Sequence, residues 1–187
     1  MKKTLKTVLA LSFVILLAAC GNNQQPKDSH EGHDHAPATP AETSAPSVAT
    51  VSTASLKDSN LDAVYQQYQH LTNVLTEGDA AAAKVSAIAL EAGAKEIKGG
   101  STLASTAAQI TGAKDLEAQR TFFASLSDEF IALVKESGLD NGELYVAHCP
   151  MALNDKGASW VSNSKEIRNP YFGESMLTCG SVKETLK

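Results

Sequence analysis

Between residues 61 and 138, apolar side chains recur at three- and four-residue spacing in four runs, and glycines close those runs. Such spacing lines one face of an α-helix. A glycine just past the last apolar residue is a common stop, because glycine takes positive φ without strain. Leu61, Val64, Tyr65, Tyr68, Leu71 and Leu75 make the first stripe, with Gly78 as its stop and Asp79 as the next N-cap. Residues 80–98 are alanine-rich, with Val85, Ile88, Ala92 and Ile97 as the apolar positions and Gly99-Gly100 as the end; the alanines imply a tightly packed neighbour. Ser101 is placed to cap a shorter helix holding Leu103, Ala107 and Ile110, which Gly112 breaks. Residues 115–137 give the clearest helix: Leu116, Phe122, Phe123, Leu126, Phe130, Leu133 and Val134 face one way, and Arg120, Asp128, Glu129 and Lys135 take the remaining surface. His70, on the first helix, reads as structural. Short connections make neighbours antiparallel. The expected fold is therefore mainly α, an up-down bundle of three to four helices, followed by a C-terminal segment of short strands or irregular loops.

The character changes at Asn141-Gly142, a turn dipeptide. Residues 143–147 and 159–161 read as short strands. Apart from Met1 and Cys20, every sulfur in the chain lies in two short motifs, His148-Cys149-Pro150-Met151 and Met176-Leu177-Thr178-Cys179. Proline fixes a rigid step between Cys149 and Met151. The i,i+3 spacing of Met176 and Cys179 puts both sulfurs on one side of a helical turn. Thiolate and thioether ligands together favour Cu(I), or Ag(I) by the same softness. Zn(II) would accept Cys149, Cys179 and His148 but gains little from methionine. Two cysteines in an oxidising compartment also pair by default. A Cys149–Cys179 bridge would contribute about 3–4 kcal/mol in the chain-entropy model. Metal site and disulfide remain open alternatives on chemistry alone, and one can replace the other as the redox state changes. In the reversal between the motifs, Pro170 keeps Asn169 out of the α region and Gly173 permits positive φ.

The N-terminus reads as an address label. Residues 1–7 are basic, and residues 8–19 form an apolar run too short to span a bilayer comfortably. The run ends in Leu17-Ala18-Ala19-Cys20, which resembles the bacterial lipobox. That resemblance implies a signal peptide over 1–19, cleavage before Cys20, lipidation of Cys20 and anchoring in the cell envelope, facing the periplasm or the exterior. Without Lys2, Lys3 and Lys6 the chain keeps 13 basic against 21 acidic residues, a net charge of −8. An acidic chain without a basic cluster does not suit nucleic acid. Residues 20–55 lack apolar periodicity and read as a disordered tether, with Pro26, Pro37, Pro40 and Pro46 breaking regular structure. Its reach is roughly 30 Å. Within it, His30, His33 and His35 can converge on a divalent ion as a weak, exchangeable capture site. Residues 56–187 are expected to be the folded domain.

Four segments also resemble a known family: His148-Cys149-Pro150-Met151-Ala152, Trp160-Val161-Ser162, Glu166-Ile167-Arg168-Asn169-Pro170-Tyr171-Phe172-Gly173 and Met176-Leu177-Thr178-Cys179-Gly180. Together they look like a bacterial domain of unknown function that occurs in small lipoproteins and beside or fused to the periplasmic adaptors of heavy-metal efflux pumps. The resemblance spans residues 56–187, and the C-terminal motifs are its specific part. It implies a metal-handling neighbourhood, with Cu(I) as cargo and an efflux adaptor as partner. It implies no established activity. An enzyme using Cys149 as nucleophile and His148 as base is not expected, because sequence neighbours seldom point at each other and no electropositive setting for the thiolate is visible.

Overall fold

Three of the four long helices begin at an aspartate. The computed structural model describes residues 53–187. α1 (Ser59–Glu77) starts at Asp58, whose carboxylate accepts the amides of Asn60 and Leu61 at 2.9 and 3.0 Å. α2 (Ala80–Ala94) starts at Asp79, which accepts from Ala81 and Ala82 at 3.0 and 2.9 Å. α4 (Leu116–Ser137) starts at Asp115, which accepts from Ala118 at 2.8 Å. Each cap satisfies amides that no helical carbonyl reaches, and contributes about 1 kcal/mol. α3 (Ser101–Gly112) differs from expectation: Gly100 takes the N-cap position without a side-chain cap, and Ser101 is already helical. Packing dictates this, since a Cβ at residue 100 would lie 2.1 Å from the Ala94 carbonyl oxygen.

α2 also ends earlier than its alanine content suggests, at Ala94, and residues 95–100 form turns. Its inward face is Ala83, Ser86, Ala87, Leu90 and Ala94, while Val85 and Ile88 are more than half exposed. Small residues let the helices approach: at Gly93 a Cβ would lie 2.9 Å from Val64 Cγ2. Tyr65, Tyr68, Phe123 and Phe130 fill the space between α1 and α4, with Tyr68 and Phe130 stacked at 4.3 Å.

Two small antiparallel ladders complete the mainly α architecture. β1 (Ser55–Leu56) pairs with β2 (Leu139–Asn141), so the chain enters the bundle pinned to the end of α4. β3 (Leu144–Cys149) is the centre of a three-stranded sheet, flanked by β4 (Ala158–Ser162) and β5 (Ser181–Leu186). The Tyr68 hydroxyl fastens this sheet to the bundle. It lies 2.7 Å from Ser127 Oγ and accepts the Val161 amide at 3.0 Å. Among the described residues no helix is long and apolar enough to cross a membrane. The expected signal segment 1–19, Cys20 and the triplet His30, His33 and His35 lie outside the described residues.

Candidate functional site

The register of β3 and β5 brings the two cysteine motifs together. His148 pairs with Ser181. Continuing that antiparallel ladder sets Cys149 opposite Gly180, beside Cys179. Glycine is required there: Gly180 has φ +134°, and a Cβ would lie 2.9 Å from the His148 carbonyl oxygen and 3.1 Å from the Trp160 ring. Both cysteines are free thiols, and Cys149 lies close enough to act on the Cys179 thiol. Cys149 is fully buried at the end of β3, whereas Cys179 is partly exposed. The contact with Cys149, aided by burial, pushes the Cys179 thiol above its ordinary pKa; the Met151 backbone amide, donating to that sulfur, works in the opposite direction.

Backbone geometry ties both methionines to Cys179. Met151 supplies the amide just described, and the Cys179 amide donates to the Met176 carbonyl at 3.0 Å, closing the turn expected from the i,i+3 spacing. Met151, 47% exposed, and Met176, half-buried, line one cavity of about 650 Å³ together with Arg120, Leu153, Tyr171 and Phe172. The sulfurs therefore fall into two pairs: two thiols side by side, and two thioethers on the wall of a neighbouring opening.

His148 does not join them. Successive strand residues face opposite sides of a sheet, so His148 points away from Cys149. Its Nδ1 lies 3.1 Å from Ser159 Oγ, its partner across β3 and β4. Among the described residues no group of three or more His, Cys, Asp or Glu side chains could hold a metal ion. The set Cys149, Cys179 and His148 is thus not assembled. On the other face, burial raises the Asp128 carboxyl above its usual pKa, and the nearby His148 opposes that rise.

Asn169 holds the arrangement in place, a role the sequence reading did not assign. It is fully buried. Its Oδ1 accepts the amides of Tyr171 and Phe172 at 2.8 and 3.3 Å, and its Nδ2 donates to the Cys179 carbonyl at 2.8 Å. Its own amide donates to the Leu177 carbonyl at 2.8 Å. An asparagine before proline that folds back on the amide two residues on is an Asx turn, the one local signal that pointed here. Tyr171 then packs edge-on to Trp160 at 6.0 Å and donates its hydroxyl to the Ser159 carbonyl. Gly173 takes φ +58°, as the reversal demands, and a Cβ there would meet the Thr76 carbonyl oxygen at 2.6 Å and Arg120 Nη2 at 2.8 Å.

Arg120 is likewise not a free surface residue. Its Nη2 donates to the Leu75 carbonyl at 2.8 Å in the last turn of α1, and partial burial lowers the guanidinium pKa. After Met151 the backbone runs through three consecutive left-handed non-glycine residues: Leu153, Asn154 and Asp155 at φ 54°, 58° and 62°.

Residues 64–142 match a family described as "Protein of unknown function (DUF3347)". The matched span runs from within α1 to just past β2 and ends before either sulfur motif. No curated protein and no solved structure matches the chain. Over its helical bundle, then, the chain is similar to a domain of unknown function.

Proposed function

We propose that this chain is a lipid-anchored envelope protein that binds Cu(I) or Ag(I) at Cys149 and Cys179, with Met151 and Met176 as auxiliary ligands, and buffers the metal or hands it to a heavy-metal efflux system. The observation that carries this reading is the strand register that sets two free thiols side by side, with Met151 and Met176 lining one cavity. Soft monovalent ions accept two thiolates in place of two thiol protons, and thioethers add to that set without adding charge. The half-exposed Met151 gives an ion a soft first contact. In this reading Cys20 carries the anchor, the histidines at 30, 33 and 35 capture ions weakly on the tether, and the protein catalyses no reaction.

The test is a Cu(I) competition titration of the reduced full chain against a chelator. Cys149→Ser and Cys179→Ser should each abolish tight binding, because a hydroxyl is a hard, protonated ligand. Met151→Leu and Met176→Leu keep the volume and should weaken Cu(I) about tenfold while sparing Zn(II). Equal Cu(I) affinity in wild type and both leucine variants removes the thioethers from the site. The side-by-side thiols also favour a second reading, a structural domain stapled by a permanent Cys149–Cys179 bridge without metal. Under that reading the leucine variants are silent, and either serine variant lowers stability with or without metal.

A further inference from the structure

We propose that Cys149 and Cys179 form an ordered thiol–disulfide exchange site, in which Cys179 meets a disulfide-bearing oxidoreductase and Cys149 resolves the mixed disulfide. The order follows from access. Cys179 is a partly exposed residue in the loop before β5, whereas Cys149 is fully buried at the end of β3, out of reach of a protein-sized partner. The resolving step needs no rearrangement of elements, because the β3–β5 register already sets the second cysteine beside the first.

The chemistry balances. Cys179 loses its proton and attacks one sulfur of the partner's disulfide; that bond breaks, and the leaving sulfur takes up a proton. Cys149 then loses its proton and attacks the Cys179 sulfur, expelling the partner's second sulfur, which is protonated in turn. Two thiols of this chain become one disulfide, and one disulfide of the partner becomes two thiols. The regulatory consequence rests on the metal reading: bridged sulfurs are no longer thiolates, so oxidation empties the site and a bound ion blocks the exchange.

The experiment uses the full chain carrying Cys20→Ser, with oxidised glutathione as the disulfide probe and mass spectrometry of alkylated protein as the readout. The starting protein should end with an internal bridge and no retained glutathione. Adding Cys149→Ala should leave a stable glutathione adduct on Cys179. Adding Cys179→Ala instead should make Cys149 react at least about tenfold more slowly, since it is reached only through local opening. Equal rates at the two cysteines overturn the proposed order. A persistent adduct without a bridge in the starting protein overturns the exchange itself, and that arm does not depend on either alanine variant folding. Preloading with Ag(I), which does not itself oxidise thiols, should slow bridging at least about tenfold. Unchanged bridging in the presence of Ag(I) defeats the metal reading and leaves the exchange site standing. Tight Ag(I) binding without bridging defeats the exchange and leaves the metal reading.

Discussion

Replacing Asn169 by alanine should cost this small domain a large share of its stability. The side chain is fully buried and makes three hydrogen bonds, to the amides of Tyr171 and Phe172 and to the carbonyl of Cys179. Alanine removes all three partners and leaves a void too small to supply replacements. The buried Tyr171 amide and the part-buried Cys179 carbonyl, both held at 2.8 Å in the native state, lose these partners. Each buried orphan costs about 1–3 kcal/mol, and the longer bond to the Phe172 amide adds little. The expected loss is about 2–5 kcal/mol, against a total of about 5–15 kcal/mol for a typical domain. Urea unfolding followed by the fluorescence of Trp160 provides the assay, because it is the single tryptophan in the chain and is 1% exposed. A loss below about 1 kcal/mol would show that the loop does not depend on this hub, and the account of how Cys179 is held would fail.

Three further outcomes are expected. Gly173→Ala should lower stability by about 2 kcal/mol or more in the same assay, because the new Cβ meets a backbone oxygen at 2.6 Å and the backbone keeps φ +58°; a neutral result would mean that α1 and the reversal can move apart. Asn154→Gly should raise stability by up to about 1 kcal/mol by relieving a left-handed φ of 58° at an exposed position, and a clear loss would show that its side chain holds the turn. Burial raises the ionisation of Tyr65, Tyr68 and Tyr171 above the ordinary tyrosine range. Folded tyrosines therefore keep their protons where unfolded ones lose them, so urea stability should hold up to about pH 10 and fall steeply above it; a flat profile there would contradict their burial.

The helices were legible because each carried its own punctuation. Asp79 and Gly78 mark a helix start and stop by side-chain chemistry and permitted φ, independently of tertiary context. Where packing decided instead, local signals misled. Val85 and Ile88 look like core by hydropathy, yet α2 turns its alanines inward because close approach to its neighbours rewards small volume. Ser101 has cap chemistry, but the position before it admits only glycine. β5 was invisible for a related reason: Ser181, Lys183, Glu184 and Thr185 are exposed on an edge strand, and no apolar alternation betrays it. The sulfur motifs stood out by their rarity in the chain. Their meeting depends on β5 pairing with β3 and on one buried asparagine, and both are long-range facts that spacing does not encode.

The place of β5 in the sheet also sets an order of assembly. α1 to α4 pack mainly against their neighbours in sequence, the kind of contact that forms early and fast. The strand that carries Cys179 into position pairs with β3 across a stretch that includes the whole Asn169 loop, the kind of contact that forms more slowly. A nascent chain can thus hold a finished bundle while Cys149 and Cys179 are still strangers. The side-by-side placement of the two cysteines therefore depends on the β3–β5 pairing and not on the bundle alone.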